Sequence, residues 1–150
     1  MSDATEPGSY FVANYPPFPR WHADAVPAVH AAFDAPPTAA PLGLYLHVPF
    51  CRKRCKFCYF RVYTDVAAAD VERYSQALAR EAALVAARRA IAGRPLKYVY
   101  FGGGTPSFLS VKQLERLVAG LHESFGWDAA EEVSLARSRS RRCGRSRRWA

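Results

Sequence analysis

LGLYLHVPFCRKRCKFC, residues 42–58, decides the fold. Leu42–Val48 is an apolar run with aromatic and β-branched members, which predicts a buried strand. Pro49 ends it, and three cysteines follow in a loop. The same order recurs downstream. Residues 67–91 are alanine-rich, and Val71, Tyr74, Leu78, Ala82 and Val85 return at helical spacing until Gly93 and Pro95 stop the helix. LKYVYF, residues 96–101, predicts a second buried strand running straight into Gly102-Gly103-Gly104-Thr105-Pro106. Ser110 and Gln113 form a capping box before another helix, whose apolar face is Leu114, Leu117, Val118, Leu121 and Phe125 and which Gly126 closes. Glu132–Leu135 predicts a third strand. The alternation of strand, loop and helix defines an α/β class with right-handed crossovers and a parallel sheet. Function then belongs in the loops at the C-terminal ends of the strands.

At 150 residues the chain suits one domain, and its hydrophobic half supplies a core. No apolar run is long enough to span a bilayer and no basic-then-apolar leader opens the sequence, so a cytoplasmic protein with no membrane partner is expected. Residues 1–41 are rich in Pro and Ala and predict an extended N-terminal arm with one short helix near Ala23–Phe33. The aromatic stretch from Tyr10 to Trp21 either packs on the domain or belongs to a partly ordered leader. All but one unit of the net charge of +8 resides in residues 136–150, ARSRSRRCGRSRRWA, which hold seven arginines and no acid. Without those seven, 14 basic residues face 13 acidic ones, so the body is almost neutral. Nucleic acid is therefore not expected as a partner of the body.

Three of the four cysteines fall within eight residues, which points to metal ligation in a reducing compartment rather than a disulfide framework. Cys51, Cys55 and Cys58 form a C-x3-C-x2-C arrangement. Three thiolates this close can each bind one iron of a four-iron cluster and leave the fourth iron open. The interleaved Arg52, Lys53, Arg54 and Lys56 would offset the negative charge. Structural zinc is the alternative; it needs a fourth ligand such as His47, His122 or Cys143. No second cysteine knuckle is present, and His47, on the strand, suits a hydrogen-bonding role better.

Tyr45-Leu-His47-Val-Pro49-Phe50-Cys51-x3-Cys55-x-Phe57-Cys58-Tyr-Phe60, followed by Tyr98-Val-Tyr-Phe-Gly102-Gly-Gly-Thr-Pro-Ser107, resembles the radical S-adenosylmethionine (radical SAM) superfamily. Within it the chain looks like the oxygen-independent coproporphyrinogen III oxidase family, including its haem-chaperone-like members. The resemblance spans residues 42–135 and implies the N-terminal half of a partial (β/α)6 barrel. It implies a [4Fe–4S] cluster on Cys51, Cys55 and Cys58, and S-adenosylmethionine held by Tyr45, Phe57, Gly103, Gly104 and Thr105. The implied activity is generation of a 5′-deoxyadenosyl radical in porphyrin or haem metabolism. The implied partners are a small molecule such as a porphyrinogen or haem, and an electron donor such as flavodoxin or ferredoxin.

The sequence departs from the family at two places. Phe60 stands where the oxidase has a further cysteine, which favours the chaperone-like branch, including a non-catalytic haem-handling module. Ala136 stands where the family has a glutamate that contacts S-adenosylmethionine, and the sequence changes character there. Two explanations of the tail stay open: out-of-frame translation beginning near residue 136, or a disordered basic arm that binds RNA. With half the barrel missing, the 150-residue chain is expected to acquire iron but to turn over poorly.

Overall fold

The computed structural model describes residues 22–56, 58 and 60–136. The aromatic stretch Tyr10–Trp21 and the arginine-rich residues 137–150 lie outside these. A short 3-10 turn leads into α1 (Val26–Asp34), followed by β1 (Leu42–Val48), α2 (Ala68–Ala86), β2 (Leu96–Gly103), α3 (Val111–Ser124) and β3 (Glu132–Leu135). The three strands form one parallel sheet in the order β1-β2-β3. β1 and β3 have the bounds expected from the sequence, and β2 runs two residues further, into the glycines.

The register explains the two faces. Tyr45 pairs with Tyr100 and His47 with Gly102, while Leu46 pairs with Phe101. Side chains alternate along a strand, so Leu46, Val48, Val99 and Phe101 share one face and are at most 3 % exposed. They join Val71 and Ala82 of α2, Leu117 and Leu121 of α3, and Phe125 and Trp127 beyond it in one apolar core. Full burial of each such Leu, Val or Phe contributes about 1.5–3 kcal/mol. α2 and α3 lie side by side. The opposite face, bearing Tyr45, Tyr98 and Tyr100, is about half exposed. A buried strand was expected for LKYVYF; its tyrosines alternate with Val99 and Phe101, so it is covered on one side.

Two helix ends differ from the sequence expectation. α2 stops at Ala86 rather than running to residue 91, and turns fill the segment to Gly93, whose φ is 72°. This segment is drawn toward α1: Ala90 N–H bonds the Phe33 carbonyl at 3.0 Å, and Arg88 pairs with Asp34 at 2.8 Å. α3 ends at Ser124, and Gly126 adopts no left-handed cap. Phe125 turns extended and enters the core, and the Gly126 carbonyl receives the Leu96 N–H at 3.0 Å. Burying an aromatic ring outweighs one more helical turn here.

The capping box at Ser110 forms as expected: its hydroxyl accepts the Gln113 N–H at 3.3 Å, and the Gln113 side chain accepts the Ser110 N–H at 3.0 Å. Ser110→Ala should cost about 1 kcal/mol, read as a lowered urea midpoint with an unchanged slope. An unchanged midpoint would show that α3 does not depend on this cap. Among the described residues no helix is long and apolar enough to cross a membrane.

Candidate metal and cofactor site

Both chemically suggestive loops leave the same end of the sheet, one after β1 and one after β2. The cysteine loop has a closed neck. Tyr63 N–H bonds the Pro49 carbonyl at 2.9 Å, and Cys51 N–H bonds the Tyr63 carbonyl at 3.0 Å, so Phe50 and Tyr63 make an isolated parallel bridge. Nothing local in the sequence marks Tyr63, because a single bridge leaves no periodic pattern.

The glycine loop is stitched to that neck. Gly104 N–H bonds the Val48 carbonyl and Thr105 N–H bonds the Phe50 carbonyl, each at 2.8 Å. The Thr105 hydroxyl lies 3.3 Å from Cys51 Sγ. Gly103 has φ 96°, a left-handed conformation that favours glycine, and a Cβ there would lie 2.9 Å from His47 Nε2. At Gly104 a Cβ would lie 2.8 Å from the Phe50 carbonyl oxygen and 2.9 Å from Cys51 Sγ. The glycines let a backbone turn sit directly against the first cysteine.

The cysteines themselves differ. Cys51 is buried, Cys58 half-buried and Cys55 exposed, and all three are free thiols. Cys58 N–H bonds the Cys55 carbonyl at 3.1 Å, which closes these two into one turn, and Arg54 caps it with a 2.8 Å bond to the Cys58 carbonyl. The Cys58 thiol points to the Phe60 carbonyl at 3.9 Å. Among the described residues no three His, Cys, Asp or Glu side chains converge as a metal site. The structure therefore joins Cys51 to the glycine loop and Cys55 to Cys58, without bringing all three sulfurs to one point.

The donor chemistry still fits an iron–sulfur cluster. Three thiols stand within eight residues, four cations are interleaved, and residues 51–64 contain no carboxylate to favour a hard cation. Of the fourth zinc ligands considered, each histidine has one ring nitrogen in a hydrogen bond. His47 Nδ1 is 3.1 Å from the Tyr45 hydroxyl, His122 is held by the Trp127 indole, and Cys143 lies outside the described residues.

Above the glycines, on the open face, Tyr45 lies with its ring centroid 5.7 Å from that of Tyr100. Burial, and then the neighbouring Tyr100, push the Tyr45 phenol above its ordinary value, so it stays protonated through neutral pH. Phe60 sets its edge against His47 with centroids 6.2 Å apart. Tyr100 was not singled out for this site, its alternation with buried residues being the available signal, whereas His47 takes the hydrogen-bonding role expected of it. Phe57 lies outside the described residues. Ala136 continues the ladder through its N–H to the Phe101 carbonyl at 2.9 Å.

A parallel β/α sheet whose first loop carries C-x3-C-x2-C and whose second packs a glycine turn on Cys51 defines the class, and residues 45–139 match the radical SAM superfamily. The chain belongs to that superfamily. It is 37 % identical over 95 residues to the oxygen-independent coproporphyrinogen III oxidase of Escherichia coli (strain K12), covering 63 % of this chain and 20 % of that protein. It is 39 % identical over 102 residues to the heme chaperone HemW of Mycobacterium tuberculosis (strain CDC 1551 / Oshkosh), covering 67 % of this chain and 26 % of that protein. The solved structure of coproporphyrinogen III oxidase (HemN) from Escherichia coli, a radical SAM enzyme, superposes with a TM-score of 0.61 at 34 % identity, over 71 % of this chain and 24 % of that one. The chain thus spans about a fifth to a quarter of the length of these relatives.

Proposed function

We propose that residues 42–135 supply the cofactor-binding part of a radical SAM protein of the coproporphyrinogen oxidase and haem chaperone group, following the arm of residues 1–41. Cys51, Cys55 and Cys58 would hold a [4Fe–4S] cluster. Tyr45, Phe57, Gly103, Gly104 and Thr105 would contact S-adenosylmethionine. When bound, the cluster supplies the electron that cleaves S-adenosylmethionine to methionine and a 5′-deoxyadenosyl radical, the oxidant for the substrate. The protein's own part is positional: the neck at Phe50 and Tyr63 fixes the cysteine loop, and the glycine turn brings backbone amides beside it. Tyr45, its hydroxyl 3.1 Å from His47 Nδ1, presents a half-exposed ring on the open face.

The observation that carries this reading is the packing of Gly104 and Thr105 on Cys51. An isolated cysteine loop would suit many metals; here the glycine turn that the family resemblance assigns to S-adenosylmethionine packs directly on the first cysteine. Anaerobic reconstitution of the full chain with iron and sulfide tests it. Iron and sulfide should be retained in equal amounts, and S-adenosylmethionine should perturb the electron paramagnetic resonance spectrum of the reduced cluster. Retention of zinc in place of iron would overturn the assignment.

The substrate class proposed is a porphyrinogen or haem, by likeness to the named relatives. Phe60, lying against His47 where the oxidase carries a cysteine, favours haem handling over decarboxylation. Haem binding without 5′-deoxyadenosine production would support that choice.

A further inference from the structure

The three cysteines have unequal surroundings, and two of them form a pair. Cys51 is buried, its N–H fixed on the Tyr63 carbonyl at 3.0 Å and its sulfur 3.3 Å from the Thr105 hydroxyl. Cys55 is exposed and Cys58 half-buried, and the 3.1 Å bond from Cys58 N–H to the Cys55 carbonyl closes residues 55–58 into a turn. A turn bonded between its first and fourth residues brings their Cα atoms within about 7 Å. A disulfide needs them about 4.4–6.8 Å apart. The backbone thus holds Cys55 and Cys58 in bridging range, while Cys51 is committed to the glycine loop. Arg54 clamps the turn through its 2.8 Å bond to the Cys58 carbonyl. The Cys58 thiol has a long, weak contact to give up when it turns, 3.9 Å to the Phe60 carbonyl.

We propose that Cys55 and Cys58 are a redox-active dithiol whose oxidation to a disulfide blocks loading of the metal site. The inference rests on the cluster reading above and adds its regulation. The oxidant is a low-molecular-weight disulfide. The Cys55 sulfur attacks it, breaks its sulfur–sulfur bond, forms a mixed disulfide and releases one thiol. The Cys58 sulfur then attacks that of Cys55; the mixed bond breaks, the bond between the two cysteines forms and a second thiol leaves. Two electrons pass from the cysteine pair to the reagent, and the two cysteine protons depart with the released thiols. Arg52, Lys53, Arg54 and Lys56 are exposed around Cys55 and draw an anionic reagent such as oxidised glutathione to it. A bridge with one exposed sulfur stays open to reductants, so the change is reversible. While the bridge lasts, two of the three sulfurs are withheld from a metal.

Peptide mapping of the full 150-residue chain, purified free of metal and incubated with oxidised glutathione, tests this. Trypsin cuts after Arg52, Arg54, Lys56 and Arg142, so Cys51, Cys55, Cys58 and Cys143 fall in four different peptides. Residues 55–56 joined to residues 57–61 should dominate the linked species, with Cys51 recovered as a free thiol. Cys58→Ser should stop at the mixed stage and carry one glutathionyl group on Cys55. Reconstituted anaerobically without added thiol, the oxidised chain should retain about tenfold less iron and sulfide than the reduced chain. Dithiothreitol should restore the difference. Linkage through Cys51 or Cys143 in preference, no linkage at all, or full iron loading of a chain bridged between Cys55 and Cys58 would overturn the proposal. A reduced chain that takes zinc in place of iron, and fails to take it once bridged, overturns the cluster reading and sustains the switch, because the bridge withholds the same sulfurs from either metal.

Discussion

Cys55→Ala should abolish retention of iron and sulfide while leaving the metal-free fold as stable as the wild type, and Cys51→Ala should damage both. The two thiols have the same proposed role and different surroundings. Cys55 is exposed, so its loss should change stability by less than about 0.5 kcal/mol. Cys51 is 8 % exposed, 3.3 Å from the Thr105 hydroxyl, at the neck where the glycine loop is stitched on. Removing its sulfur deletes a buried contact and leaves Thr105 without that partner, at a cost of about 1–2 kcal/mol. Urea unfolding of the metal-free chains measures the second effect, and iron and sulfide analysis after anaerobic reconstitution measures the first. A Cys55→Ala chain that keeps a full complement of iron would remove Cys55 from the ligand set and with it the three-cysteine site.

The contrast between these cysteines was not legible in the sequence, although their spacing was. Local patterns carried far: β1, β3 and the capping box at Ser110 and Gln113 formed at the residues expected. Each depends on neighbours within a few positions, so periodicity and side-chain chemistry suffice to locate it. What escaped depends on contacts between distant segments. The end of α2 at Ala86 is set by bonds from Arg88 and Ala90 to α1, more than 50 positions earlier. The bridge between Phe50 and Tyr63 and the contact of Cys51 with Thr105 likewise join segments that share no repeat. Gly126 illustrates the opposite error, a residue that reads as a helix stop while Phe125, seeking the core, ends the helix first. For the site, the motif supplied the candidate donors, and the folded neck supplied the reason that one of them is also structural.

Gly104→Ala is expected to be strongly disruptive for the addition of a single methyl group. The added carbon would lie 2.8 Å from the Phe50 carbonyl oxygen, 3.1 Å from the Pro49 carbonyl carbon and 2.9 Å from Cys51 Sγ. Two of these neighbours are backbone and cannot rotate aside, so the glycine turn must lift away from the cysteine loop. Lifting it strains the two 2.8 Å bonds from Gly104 to Val48 and from Thr105 to Phe50. A loss of about 2–3 kcal/mol is expected from overpacking together with those weakened bonds. S-adenosylmethionine binding should fall in parallel, since the turn that would hold it has moved. Gly120→Ala is the matched control: there the new carbon meets only the Ala79 Cβ, at 3.3 Å, and the helix gains up to about 1 kcal/mol of propensity. That variant should stay close to wild-type stability and keep its cofactor response. If Gly104→Ala melts with the wild type and still answers to S-adenosylmethionine, the two loops do not pack as described, and the case for a shared metal and cofactor site loses its geometric support.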